Sequence, residues 1–480
     1  MIGNTMLAKH PIAFVLFLIG LTACGRAGRA AETAADPTEK KFSLTLHAGD
    51  RDRIDVPLCV LLDSEKAQGA WVDLAEGGLS RAQVTEPGLA NAQWRGKGKQ
   101  ELHFWAPKLT KGQVMPAVAR LSERPIEGRH YVWSGEPHRN RRLSCSQCHQ
   151  GLDLPTGSEL RKERQCLDET GKAPPLVLPR LLPTAEGHDF RWHEKSKQLH
   201  TSACWECHGR HLVEYEFGQS LRKPSYPVGA KKEAEAPPAA RSVYHRLFRV
   251  DGDVLFDHAV STAENPSGGA AGGFYYGFST LRSGNDLYGD VVQRHAGTLS
   301  EEAGKFLGRH NVLIHWVSDE RSKVLAKEER QVTVKNTRAR NGSRANWIDF
   351  ASRLEPTGGP LRLEPTAPLA GFHFVPPLDG GAAPEHRQSN LWTAVAFDFR
   401  GDRYTAVCFN HPANPRPVPP AKPSPGKTPS AIGWRFAADL APGSALFVQY
   451  RLWIQGGTMP TEEIEAMTRD WLEPVRIEVK

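Results

Sequence analysis

Two five-residue stretches constrain this chain more than any other feature. Cys145-Ser146-Gln147-Cys148-His149 and, 59 residues later, Cys204-Trp205-Glu206-Cys207-His208 both read C-x-x-C-H. That spacing is the c-type haem attachment signature, in which two thiols bond the porphyrin edge and the adjoining imidazole reaches the iron. Two copies predict two covalent haems c, with Cys145, Cys148, Cys204 and Cys207 as attachment points and His149 and His208 as proximal iron ligands. A zinc site and a redox dithiol are the other readings of these residues. Zinc ribbons set their Cys pairs roughly 15–20 residues apart, whereas Cys148 and Cys204 are 56 apart. No βαβ pattern of the thioredoxin type surrounds either motif.

Haem c is attached outside the bacterial cytoplasm, so the N-terminus matters. Residues 1–23 combine Lys9 and His10 with the apolar run Ile12 to Leu21, too short to span a bilayer and suited to a cleaved export signal. The ending Leu21-Thr22-Ala23-Cys24 resembles the lipobox of bacterial lipoproteins. The resemblance implies lipidation at Cys24, with membrane attachment through it; a plain secretory signal with an incidental Cys is the other reading. Arg26 in place of an acidic residue leans towards the outer membrane, the periplasmic face being the alternative. The expectation is therefore an exported, membrane-anchored lipoprotein in an oxidising compartment.

A chain of 480 residues exceeds one domain on length. Its 61 basic and 54 acidic residues are interspersed, leaving +7 without a basic run, so nucleic acid is not an expected partner. Residues 24–41 read as a flexible tether. From Phe42, Leu44 and Leu46 through Ile54 to Leu62 and on to Leu102 and Phe104, period-two alternation predicts a small antiparallel β domain over 42–123. Alternation fades over 124–222, where Pro174, Pro175, Pro179 and Pro183 exclude a continuous helix; this is the expected dihaem segment, irregular and wrapped on its cofactors. Residues 223–242, with Pro224, Pro227, Pro237 and Pro238, predict a linker and domain boundary. From 243 to 480, alternation in Val312-Ile314-Trp316, Thr393 to Phe399 and Leu446-Val448-Tyr450-Leu452-Ile454 predicts a large antiparallel β-sandwich, with a helix near Thr461 to Trp471 after Pro460. The fold class is thus mainly β. Of eight Cys, Cys59, Cys166 and Cys408 remain beyond the motifs and the lipobox, and Cys59 and Cys408 are expected as buried filler in strands.

The haem segment is rich in His and has no Met: Met115, Met459 and Met467 all lie outside it. Bis-histidine ligation is the economical expectation. The run His193 to His200 ahead of Cys204 resembles multihaem cytochromes, in which an upstream His commonly ligates a neighbouring haem. This implies His138 and His200 as candidate distal ligands, with His188, His193 and His211 in reserve.

Four further stretches carry a second resemblance: Asp286-Leu287-Tyr288-Gly289, Lys327-Glu328-Glu329-Arg330, Phe409-Asn410-His411-Pro412-Ala413-Asn414-Pro415-Arg416 and Tyr450-Arg451-Leu452. They resemble the PmoA-like family of β-sandwich proteins, as does Asp52-Arg53…Val56-Pro57 in the small β domain. On this reading the haem segment is an insertion between two halves. The His-rich segment such proteins carry before a Gly-Phe-Tyr-Tyr-Gly-Phe strand is replaced here by Asn265 to Gly273. His411, Arg416, His245 and Asp286 remain weak catalytic candidates, against a turn-forming role for the His-Pro and Asn-Pro pairs. An electron carrier with an unnamed redox partner protein is expected ahead of a catalyst. A haem-dependent oxidoreductase, or a protein binding or modifying carbohydrate through the sandwich, stays open.

Overall fold

The computed structural model describes residues 39–75 and 78–123, the strands at 190–194, 202–207 and 210–216, residues 243–247 and, with short breaks, 273–480. Within them the chain is mainly β, as its alternating patterns imply. The signal segment, the tether and most of 124–222 lie outside the described residues, including Cys24, Cys145, Cys148, His149, His138, His200 and His208.

The N-terminal unit is a seven-stranded antiparallel sheet in the order Arg53–Asp63, Lys99–Leu109, Gly78–Thr85, Gly69–Leu74, Val114–Ser122, Lys40–His47, Arg476–Val479. Its core collects alternate residues of each strand, among them Leu44, Leu46, Leu58, Val72, Leu102, Phe104 and Leu121. The last strand corrects the expected boundary. Arg476–Val479 pairs with Lys40–His47, Leu44 facing Val479 and Leu46 facing Ile477, so the C-terminal residues complete the N-terminal sheet. Four residues ending a 480-residue chain show too little alternation to reveal this in the sequence. Arg53 fastens the same junction: Nη1 lies 3.0 Å from Asp470 Oδ1 and Nη2 donates to the Glu473 carbonyl at 2.6 Å.

The larger unit is the expected sandwich. An eight-stranded antiparallel sheet runs Val291–Glu302, Gly308–Ser318, Lys323–Arg338, Arg344–Pro356, Leu446–Gly456, Asp402–Asn410, Trp392–Phe399, Glu385–Gln388. A seven-stranded sheet packs against it in the order Ile432–Trp434, Gly371–Val375, Gly273–Gly277, Tyr244–Leu247, Arg210–Glu216, Ser202–Cys207, Phe190–Glu194. Rings from both sheets fill the space between them: Phe372 stacks on Tyr450 at 4.5 Å and Phe274 meets Phe350 edge-on at 6.3 Å. A four-stranded sheet of Asp286–Tyr288, Leu281–Ser283, Leu361–Leu363 and Ala438–Leu440 lies alongside.

Two expectations are corrected here. The stretch 190–216 is a three-stranded meander rather than an irregular wrap, and Arg210–Glu216 pairs directly with Tyr244–Leu247, so the sheet crosses the predicted 223–242 boundary. Val213 and Tyr215 carry the period-two signal, in a strand too short to stand out among the surrounding Pro and charge. The helix Thr461–Leu472 agrees closely with its prediction, Pro460 occupying the cap position in extended conformation and Glu462 and Glu463 lying in the first turn. It covers the outer face of the eight-stranded sheet, where Ile464, Met467 and Trp471 pack on Trp347, Trp392, Phe409 and Trp453.

Candidate functional site

The second C-x-x-C-H motif is carried by the strand Ser202–Cys207. Position 204 faces His193 and Glu214, and position 207 faces Phe190 and Arg210. The donor types suit a covalent haem. The extended backbone does not, because positions three apart fall on opposite faces of a strand, whereas both thioethers go to one macrocycle. Haem attachment therefore requires a turn between Cys204 and Cys207. The ladder with Arg210–Glu216 already shifts register there, between Trp205 and Glu206.

Inside the sandwich, the stretch Lys327 to Arg330 supplies a charged pair with no solvent contact. Glu328 and Arg330 are each 0% exposed. Arg330 Nε and Nη2 donate to the two carboxylate oxygens at 2.7 and 2.8 Å. Trp316 Nε1 and Ser352 Oγ donate to the same carboxylate at 2.7 and 2.9 Å. Arg330 Nη2 and Gln293 Nε2 both reach the Tyr276 carbonyl, at 2.9 and 2.8 Å. The network is built by alternation: Glu328 and Arg330 are two residues apart on one strand, so both face inward.

His245 lies in the same interior, stacked flat on Phe274 at 4.4 Å and 6.0 Å from the His310 ring. Burial, then Arg330, then His310 push its pKa well below the ordinary value. Burial, then Arg330, hold His310 down to about 3. Both imidazoles are fully buried beside the Arg330 cation, with His245 against the Phe274 ring.

His411 and Arg416 do not join them. The segment from His411 to Arg416 is a turn outside the strand Asp402–Asn410, in which His411 Nδ1 accepts from the Ala413 amide at 3.2 Å. Asn414 is buried and fixes the turn. Its Nδ2 donates to Asn410 Oδ1 at 2.8 Å and to the Gln449 carbonyl at 2.6 Å, while its Oδ1 accepts from the Gln449 amide at 2.8 Å. His411 meets Trp471 edge-on at 5.4 Å, and the Arg451 guanidinium stacks on Trp471 and Trp347 at 4.9 and 4.1 Å. Asp349 accepts from Arg451 Nε at 2.6 Å, Trp347 Nε1 at 2.9 Å and Lys335 Nζ at 3.2 Å. The two quoted stretches containing His411 and Arg451 thus meet on the outer face, opposite His245. Asp286 sits on the separate four-stranded sheet. The four catalytic candidates are not brought together.

A third cluster joins the two units. Glu101 Oε1 accepts from the Gly88 amide and Asn91 Nδ2, both at 2.8 Å. Its Oε2 accepts from Arg309 Nη1 at 2.7 Å and lies 3.2 Å from His103 Nε2. Arg309 also bonds Glu302, Thr85 Oγ1 at 2.7 Å and the Glu86 carbonyl. Burial opposes ionisation of Glu101, but Arg309, His103 and Asn91 hold its carboxyl well below the usual range. Cys59, on the strand beside His103, is exposed, which corrects its expected role as buried filler; Cys408 is buried as expected. Arg53–Asp63 is the edge strand of its sheet. Sequence reasoning missed this cluster because its members are held together by pairing between distant strands.

Residues 282–469 match a family model. Its description is "Family of unknown function (DUF6807)", and the range contains all four stretches from Asp286 to Leu452 singled out above. No curated protein matches the chain. Among solved structures, the chain is similar to the crystal structure of an alpha-mannosidase from Enterococcus faecalis V583, at 9% identity and a TM-score of 0.32. That similarity covers 92% of this chain and 46% of the mannosidase, so the chain spans less than half of that protein.

Proposed function

We propose that this chain is an exported, lipid-anchored dihaem c-type cytochrome that transfers electrons, its β units serving to dock a redox partner or ligand. The observation that carries this reading is the pair of C-x-x-C-H motifs 59 residues apart. Cys145, Cys148, Cys204 and Cys207 would hold the two macrocycles, His149 and His208 the irons on one side, and His138 and His200 the other. Such a haem supplies one-electron exchange. The chain's own residues set its potential through burial, hydrogen bonding and nearby charge. The signal-like residues 1–23 and the lipobox-like ending at Cys24 support the same reading, because export would place the thiols where haem c is attached. The fully enclosed Glu328–Arg330 pair supports a packed sandwich interior at that point.

The test is a reduced pyridine haemochrome spectrum with a protein assay, on chain expressed with a cytochrome c maturation system. Two covalent haems per chain are expected. None under those conditions would overturn the reading and leave a metal or dithiol role for the motifs.

A further inference from the structure

Cys59, Glu101 and His103 come together through strand pairing alone. Glu101 and His103 are two apart on Lys99–Leu109, hence on one face, and Cys59 stands directly across from His103 on Arg53–Asp63. The thiol sulfur, a carboxylate oxygen and a ring nitrogen lie within 4.8 Å of one another. Ligands of a tetrahedral zinc sit about 3.5 Å apart, given metal bonds of about 2.0–2.3 Å. The three donors are therefore a side-chain rotation away from enclosing one ion. Among the described residues they form the one group of three such donors with this closeness.

We propose that Cys59, Glu101 and His103 form a binding site for a borderline divalent cation of the zinc type, with its fourth position open to water. The donor set fits: thiolate sulfur, imidazole nitrogen and carboxylate oxygen together favour zinc over calcium or magnesium, which take oxygen alone. Charge is the first objection, because Arg309 already bonds Glu101. Arg309 is also paired with Glu302, so two carboxylates surround one guanidinium and the cluster carries one surplus negative charge. A Cys59 thiolate raises that to two, which a divalent cation cancels. Lys335 is also nearby and is balanced by Asp349 at 3.2 Å. Glu101 keeps its Oε1 bonds to Gly88 and Asn91 while Oε2 turns to the metal. Those bonds orient the ligand from behind, as outer partners of metal-bound carboxylates do. Binding releases the Cys59 proton and so tightens as pH rises. The site also lies where the N-terminal sheet meets Arg309 of the sandwich, so an ion there stiffens the junction.

Burial and then the Glu101 charge push the Cys59 thiol pKa up, so its alkylation, followed at alkaline pH, gives a direct readout on the full chain. Alkylation by iodoacetamide, followed by peptide mass spectrometry, would be timed with and without zinc. Zinc is expected to slow Cys59 alkylation in the wild type, since a metal-bound thiolate is withheld from the reagent, and to have no effect in His103→Gln. Bound zinc, counted after dialysis, should fall by one per chain in Cys59→Ser, an exposed substitution that leaves the fold intact. Cys59 alkylation unaffected by zinc, protection that persists in folded His103→Gln, or an unchanged zinc count in Cys59→Ser would each overturn the proposal. Haem content plays no part in these measurements.

Discussion

Removing one member of the Glu328–Arg330 pair should be the most damaging conservative change in the sandwich. Glu328→Gln keeps the shape but leaves the Arg330 guanidinium, 0% exposed, without its counter-charge. Breaking a buried pair from one side costs about 3–5 kcal/mol. Arg330→Met leaves the carboxylate in the same position and should cost a similar amount. The double variant Glu328→Leu with Arg330→Met removes both charges, so the desolvation penalty disappears with the attraction. What remains is the loss of partners for Trp316 Nε1 and Ser352 Oγ, at about 1–3 kcal/mol each. The double variant should therefore cost well below the sum of the single ones, with coupling of several kcal/mol. Urea unfolding followed by tryptophan fluorescence reads this directly, Trp316 being part of the network. With an m-value near the upper end of about 1–3 kcal/mol/M, each single substitution should lower the midpoint by more than about 1 M. Single costs under about 1 kcal/mol, or a double cost equal to their sum, would refute the claim that the two charges are buried as a pair.

Acid should weaken the sandwich before carboxylates titrate. His245, His310 and His373 all have folded pKa values depressed first by burial, to about 3 for His310 and about 4 for His373. Above about pH 6.5 they are neutral in both states. As pH falls below that value the unfolded chain takes up protons the core refuses, so stability drops by about 2 kcal/mol per histidine by pH 5. Thermal melts at pH 7 and pH 5 check this, and an unchanged midpoint contradicts it. Asn414→Ala should cost about 1–3 kcal/mol by freeing the Gln449 amide and carbonyl. His411→Ala, losing mainly an edge contact with Trp471, should cost no more than about 1 kcal/mol in the same denaturation assay. Hydrogen exchange should show the amides of 203–206 protected in chain lacking haem and faster in haem-loaded chain, since a turn there breaks two ladders.

The β class and the long strands were legible because burial of one face imposes alternation. Val312, Ile314 and Trp316 are all 0% exposed, as their spacing predicts. What stayed hidden depends on pairing between distant segments. Nothing local marks Arg476–Val479 as the partner of Lys40–His47, or Cys59 as the neighbour of His103. The quoted stretch Lys327 to Arg330 drew attention as a resemblance, yet only the sheet shows Glu328 and Arg330 facing the core while Glu329 reaches Arg95 on the N-terminal unit. For the His-Pro-Ala-Asn-Pro-Arg turn, local chemistry was the better guide: Asn and Pro build turns, and Asn414 does so here.

The strand bearing the second motif lies near the margin of its sheet, with, among the described residues, Phe190–Glu194 alone beyond it and Arg210–Glu216 between it and Tyr244–Leu247. The inner strands are held differently. Phe274, Phe372 and Phe374 interlock with Phe350, Tyr450 and Phe397 of the facing sheet. A turn between Cys204 and Cys207 would therefore disturb the pairing of the three strands from Phe190 to Glu216 without releasing the aromatic core. The match over 282–469 begins beyond the motif as well, so the sequence pattern shared with that family model does not include the second C-x-x-C-H motif. If a haem is attached there as proposed, its attachment would be separable from folding of the sandwich, whose aromatic core lies on the inner strands.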